Sequence, residues 1–109
     1  MVPLLLVTTV IIYSPALMCG YIWDDHDYVT DNTTLRTSAG LLRIWTDTTA
    51  TPQYYPLVHT TYWLEYRLWR LQPFGYHLTN VLLHGLSAVL LWKILIKLSV
   101  PGAWLAALI

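Results

Sequence analysis

From Met1 to Trp23 the chain carries no charged side chain, and that run constrains the fold more than any other feature. A helix needs about 20 mostly apolar residues to cross the hydrocarbon core of a bilayer, so residues 1–23 read as a first transmembrane helix. Pro3 and Pro15 lie towards the ends of the run, where a missing backbone donor costs least. Tyr21 and Trp23 fall where amphipathic rings gather at the membrane surface. A cleaved signal peptide is the competing reading. Against it, the run has no basic start, and Ala16-Leu17-Met18-Cys19 offers no small-x-small cleavage site.

A second apolar stretch, residues 76–100, has spanning length and ends at Lys93, Lys97 and the helix-stopping pair Pro101-Gly102. Residues 101–109 read as the start of a third span, so the chain is expected to be the amino-terminal piece of a longer protein. The composition agrees with a lipid environment: 56% of residues are hydrophobic and 11% charged, against roughly 25% charged in soluble domains. Six Lys and Arg balance six Asp and Glu, which leaves no basic excess for phosphate backbones and excludes nucleic acid as a partner. Six Trp and eight Tyr against one Phe is the aromatic choice of an interface. Cys19 is the only cysteine and can form no internal disulfide.

Residues 24–75 form the loop between the spans, polar in its first half and aromatic in its second. Between Pro56 and Leu71 a helical projection places Leu57, Leu64, Leu68 and Leu71 on one face and His59, Trp63, Tyr66 and Arg70 on the other. That pattern predicts an amphipathic helix at the interface, leucines in lipid or against the spans, polar rings towards an aqueous mouth. A packed helix of an ordinary extramembrane domain is the alternative. A shorter helix is expected over Ala39–Trp45, and a turn at Asp31–Thr34, whose Asn32-Thr33-Thr34 is a glycosylation sequon.

Chemistry is concentrated in two places. Asp24 and Asp25 follow directly on the charge-free run, with His26 and Asp27 beside them. Paired carboxylates can act as general base and orienting partner, or hold a divalent cation through oxygen ligands, or simply end the helix in water. Metal binding at Asp24 and Asp25 stays open, and no cofactor is required. In the second span His77, Asn80, His84 and Ser87 form one polar stripe, which at membrane depth faces a bundle interior or a cavity, or bonds helices together. Lys93 and Lys97 place the end of this span in the cytoplasm, whereas Arg36, Arg43, Arg67 and Arg70 in the loop pull the other way.

The ordered series Gly20-Tyr21-Ile22-Trp23-Asp24-Asp25, Gln53-Tyr54-Tyr55-Pro56-Leu57 and Pro73-Phe74-Gly75-Tyr76-His77-Leu78-Thr79-Asn80-Val81-Leu82-Leu83-His84 covers nearly the whole chain. It resembles the start of a GT-C glycosyltransferase of the protein O-mannosyltransferase kind, closest to the transmembrane and tetratricopeptide-repeat proteins and their bacterial relatives. The resemblance implies an all-α, polytopic transmembrane bundle in bacterial inner membrane or endoplasmic reticulum. Its first loop would be periplasmic or luminal, and Lys93 and Lys97 cytoplasmic. It implies transfer of a sugar, typically mannose, from a polyprenyl- or dolichyl-phosphate carrier to a hydroxyl on a protein or glycan acceptor, with inversion. Asp24 would be the base and Asp25 its support, with Tyr55, His77, Asn80 and His84 shaping the substrate pocket. No tetratricopeptide repeat occurs in these residues. A non-catalytic membrane scaffold of the same fold, or a transporter with the histidine stripe along its path, are the competing classes.

Overall fold

A computed structural model describes residues 1–108. Among them every regular element is helical: α1 (Val2–Tyr13), α2 (Ser38–Thr46), α3 (Pro56–Trp69), α4 (Pro73–Lys97) and the single-turn α5 (Ala103–Ala106), with 3-10 turns at Ser14–Met18 and Thr33–Arg36 and a π-turn at His26–Thr30. The chain divides into a helical unit, Met1–Cys19 with His77–Ile109, and a loop unit, Gly20–Tyr76.

In the helical unit α4 is the one helix, among the described residues, long and apolar enough to cross a membrane: 25 residues with a mean hydropathy of 1.6. At about 1.5 Å per residue it reaches about 37 Å, more than the roughly 30 Å hydrocarbon core. Only 22% of its apolar window is buried, unlike the core helix of a soluble domain. Pro73 opens it, where no donor is lost. Its end is a left-handed stop. Ser99 takes φ +55°, and Val100 N–H reaches back to the Leu95 carbonyl at 3.0 Å, so the final carbonyls are satisfied before Pro101. The helix thus begins and ends three residues earlier than the 76–100 expected from hydropathy.

The first helix is shorter than its charge-free run. α1 stops at Tyr13 because Pro15 has no N–H to continue the ladder, and Ser14 turns both its N–H and its hydroxyl onto the Ile11 carbonyl. A 3-10 turn carries the chain to Met18 and Cys19 is extended. Helical residues therefore cover 2–18 of the 1–23 expected. Leu5 of α1, Val89 of α4 and Ala107 beyond α5 make the core of this unit, with Val2, Trp92 and Trp104 against it. Gly85 of α4 is buried where Leu6 passes: a Cβ there would sit 3.2 Å from the Leu6 side chain, the close approach small residues allow between apolar helices.

The loop unit is tied together by side chains that reach across it. Asn32 caps the Thr33–Arg36 turn through Thr34 N–H at 3.2 Å and donates to the Tyr28 carbonyl at 3.1 Å, so the sequon asparagine is buried and both ends of its amide are engaged. Thr37 caps α2 at Gly40 N–H. Indole N–H groups join the helices: Trp63 to the Thr37 carbonyl at 2.8 Å, Trp45 to the Thr60 hydroxyl at 3.0 Å. Val29, Leu35, Ile44 and Tyr76 fill the interior, and two polar residues of α3, His59 and Glu65, are buried with them.

The leucines of α3 point out as its period predicts, and on the other face Arg70 is exposed while the rings turn inward. His59 is fully buried and Tyr62, Trp63, Tyr66 and Trp69 are partly buried; His59 and Tyr62 meet edge-on, and Trp63 donates its indole N–H to the Thr37 carbonyl.

Gly40 is the tightest point of the loop unit. A Cβ there would overlap the Thr34 carbonyl, whereas at Gly20 it would meet open space. Gly40→Ala should destabilise the protein by about 1–3 kcal/mol, as overpacking against backbone does, and Gly20→Ala should stay within about 0.5 kcal/mol. Thermal unfolding in detergent checks this, and equal midpoints for the two variants would contradict it.

Candidate functional site

The acidic pair sits on a turn built by the chain immediately before it. Trp23 adopts φ +49°, a left-handed conformation that costs a bulky residue of order 1 kcal/mol or more, and the residue is 88% exposed. Asp25 N–H donates to the Ile22 carbonyl at 3.1 Å, and the Asp25 carboxylate accepts Ile22 N–H at 3.0 Å. Ile22 and Asp25 therefore close the turn from both sides. Asp24, between Trp23 and Asp25, is exposed, and its carbonyl accepts Tyr28 N–H at 2.9 Å. The two aspartates differ in kind: one oxygen of Asp25 is spent on the turn, and the Asp24 carboxylate is presented by it.

The following π-turn, His26–Thr30, closes when Asp31 N–H reaches the His26 carbonyl at 2.8 Å. π-Turns are rare and often mark functional positions. The His26 ring lies 3.2 Å from the Thr30 hydroxyl. Among the described residues no three His, Cys, Asp or Glu side chains gather as metal ligands. A cation at this turn would have Asp24 and the uncommitted oxygen of Asp25 as its protein ligands.

Beneath the acidic turn runs a ladder of rings. Tyr28 stacks against His59 at 5.5 Å, His59 against Tyr62 at 5.9 Å, Tyr62 against Tyr76 at 6.3 Å, and Tyr76 against Tyr21 at 5.8 Å, in the tilted and edge-on geometries aromatic pairs favour. Tyr21 and Tyr28 flank the acidic turn in sequence, so it is clamped at both ends. Desolvation pushes the Tyr28 phenol up from its ordinary value, with the Asp24 charge adding to it. Desolvation does the same to Tyr62, helped by Asp25 and Glu65. Both phenols remain proton donors beside carboxylates. None of these ladder residues stood out in the sequence as a site; the surplus of tyrosine and the His59, Tyr62, Tyr66 spacing on one face of α3 were the available signals.

His59 is the centre of the ladder. Its Nε2 lies 3.1 Å from the Gln53 carbonyl, which fixes the proton on that nitrogen, and its buried Nδ1 has no hydrogen-bond partner among the described residues.

The other expected residues fall elsewhere. Tyr55 is the half-exposed N-cap residue of α3 and lines a hollow of about 260 Å³ with Tyr54, Pro56, Leu57 and Val58. In the helical unit His77, Asn80 and His84 do share one groove, of about 240 Å³, with Tyr13, Ala16 and Val81. The Tyr13 ring meets His84 edge-on at 4.7 Å. Ser87, at the end of the same stripe, is exposed and bonds its own helix at the Leu83 carbonyl, 2.9 Å. The groove is mostly apolar, with two imidazoles and an amide at its edge.

No family model matches the chain, and no solved structure matches it. Curated sequences do, and together they define its class: the chain is protein O-mannosyl-transferase-like. It is 38% identical over 96 residues to the protein O-mannosyl-transferase Tmtc3 of Drosophila melanogaster, covering 80% of this chain and 10% of that protein. It is 33% identical over 91 residues to the protein O-mannosyl-transferase TMTC3 of Homo sapiens, covering 75% of this chain and 10% of that protein. A more distant relative is the protein O-mannosyl-transferase F38B6.6 of Caenorhabditis elegans, 23% identical over 100 residues. The chain spans about a tenth of the length of the TMTC3 relatives it matches.

Burial holds the His59 imidazole below its ordinary range, and the Gln53 carbonyl only partly offsets this. The unfolded chain therefore takes up a proton near pH 6.5 that the folded unit refuses. Stability from this residue is complete above that pH and declines as pH falls through and below it. The thermal midpoint should drop between about pH 7 and pH 5.5; a midpoint unchanged over that interval would contradict the assignment of a buried neutral His59.

Proposed function

We propose that this chain is part of an integral membrane glycosyltransferase that moves mannose from a polyprenyl- or dolichyl-phosphate carrier to a hydroxyl of a protein acceptor. The names of its relatives support the sugar and the acceptor class. The observation that carries the mechanism is the acidic turn, with Asp24 exposed on a backbone locked by Asp25 and clamped between Tyr21 and Tyr28.

The chemistry asks for one base. The Asp24 carboxylate takes the proton of the acceptor hydroxyl, the oxygen attacks the anomeric carbon, and the bond from that carbon to the phosphate oxygen breaks, its electron pair leaving with the lipid phosphate. Attack opposite the leaving group inverts the anomeric centre. Asp25 is a positioning residue, holding the turn through Ile22 N–H. A base on a preformed turn loses little freedom when the acceptor binds, which is where general-base catalysis gains its rate.

The membrane part of the proposal is a multi-pass bundle of the GT-C kind. α4 supplies one span, and α1 with its 3-10 turn, 12 and 5 residues, rises about 28 Å, close to the hydrocarbon thickness. The loop unit lies on the periplasmic or luminal side, with Lys93 and Lys97 in the cytoplasm. The apolar groove at His77, Asn80 and His84 suits part of a prenyl chain, its imidazoles and amide being placed for a polar group at the chain's head.

Transfer of mannose from a polyprenyl-phosphate donor to a serine- or threonine-bearing polypeptide by the full-length protein tests this. Asp24→Asn should reduce turnover by about 10²–10⁴-fold. Asp25→Asn keeps an oxygen for Ile22 N–H and should lose far less, and Asp25→Ala should fall between. Transfer by Asp24→Asn at the wild-type rate would remove the base.

A further inference from the structure

The π-turn that follows the acidic pair helps to line a second hollow, formed wholly within the loop unit. Asp27 on that turn and Asp31 at its close, with Thr33, Thr34, Thr49 and Thr51, line a cavity of about 470 Å³. The two stretches of chain around it are fastened to each other: the Thr34 hydroxyl donates to the Ala50 carbonyl at 2.7 Å, 16 residues away. Thr34, Ala50 and Thr51 are all buried, so packed chain holds the cavity open.

Hydrogen-bond accounting says what this cavity lacks. Three of its hydroxyls have spent their protons: Thr34 on the Ala50 carbonyl, Thr49 on the Asp47 carboxylate at 2.6 Å, and Thr51 on the Gln53 carbonyl at 2.8 Å. What each still offers is oxygen lone pairs. Asp27 makes no hydrogen bond or ion pair among the described residues, and Asp31 uses one oxygen, on the Thr30 hydroxyl at 3.3 Å. The lining is thus a set of acceptors carrying two negative charges, with Thr33 as its one uncommitted hydroxyl.

A saccharide brings as many acceptors as donors and would set lone pair against lone pair. An ammonium or guanidinium group brings donors only, and positive charge with them. The loop unit supplies no such group itself. It has four arginines and no lysine. Arg36 donates to the Thr30 carbonyl, Arg43 pairs with Asp47, and Arg67 and Arg70 lie over the Trp63 and Tyr66 rings.

We infer that this cavity receives a lysine or arginine side chain of the acceptor polypeptide, with Asp27 and Asp31 pairing to it. The inference rests on the proposed transfer to a protein hydroxyl at Asp24. Asp24 and Asp31 are seven residues apart along turns of helical type, which at a rise of about 1.5 Å per residue separates them by about 10 Å at most. An extended peptide covers about 3.3 Å per residue, so the basic residue lies about three positions from the serine or threonine that takes the sugar. The cavity then selects acceptors by charge, a few residues away from the reacting hydroxyl.

The test uses the full-length protein, a polyprenyl-phosphate mannose donor and peptides with a single threonine. Each peptide carries one lysine, or one glutamine in its place, at successive positions within about five residues of the threonine. At about three positions away, lysine should lower KM about fivefold relative to glutamine, and added salt should shrink the difference. Asp27→Asn with Asp31→Asn should treat the two peptides alike. Thr33→Lys should do the same while keeping both carboxylates, because it fills the cavity with the protein's own ammonium; Thr33 is exposed, so this variant disturbs no packing. Transfer to the peptides with no lysine preference at any position would overturn the cavity's role and leave the transferase standing. A preference that survives in both variants would overturn it too, by placing the cation elsewhere. Calcium raising the thermal midpoint of the wild type but not of the double variant would show a metal ion as the occupant and overturn it likewise. No transfer to any peptide would remove the transferase reading and the cavity's role together.

Discussion

The loop unit depends on a histidine that has given up water. Fully buried, with one nitrogen on the Gln53 carbonyl and Tyr28 and Tyr62 on either side, His59 joins the π-turn directly after the acidic pair to α3. Without it Tyr28 would have no partner in the ladder, and the acidic turn would be held at its Tyr21 end alone. An imidazole suits this place better than a phenyl ring. It fills the gap between two tyrosines and also places a donor on the Gln53 carbonyl, which accepts from Tyr55 N–H and the Thr51 hydroxyl as well. The cost is a bare Nδ1 in the interior, tolerable only because the ring is neutral there.

The ladder also explains why two adjacent aspartates differ. A clamped segment has little slack, so the left-handed step at Trp23 must be stabilised locally, and the Asp25 carboxylate does this by accepting Ile22 N–H. Asp24 then carries no structural duty in its side chain. A carboxylate relieved of that duty, on a backbone that cannot relax around it, can change its bonding partners during a reaction without unfolding its own support.

Much of this was legible in the sequence, and the parts that were not have particular causes. The charge-free run and the apolar stretch before Lys97 announced helices, because hydropathy and spacing are local properties. Where α1 ends was less legible, since Pro15 near the end of a run can be read as harmless, whereas its missing N–H stops the α-helical ladder at Tyr13. The leucine face of α3 was plain from its period, but period says only that two faces differ. Which of them the unit buries was decided by rings finding partners beyond the helix: His59 meets Tyr28, 31 residues before it, and Tyr62 meets Tyr76, 14 residues after it. Of the candidate site residues, Asp24 and Asp25 stand together on the turn, and His77, Asn80 and His84 share a groove because i, i+3 and i+7 fall on one helical face. Tyr55 is placed by the cap of α3, a tertiary feature that its Tyr-Pro motif only hints at.

The last step of the ladder ties the acidic turn to the first turn of α4. Tyr21 rests on Tyr76, and Tyr76 lies in the first turn of α4 with its hydroxyl on Arg70. The acidic turn is therefore fixed, through two rings, to the point where the apolar helix starts. For the proposed transfer this tie matters because a carboxylate on a backbone held by its neighbours loses little freedom when an acceptor hydroxyl arrives, and the loss avoided there is the part of the barrier that positioning can remove.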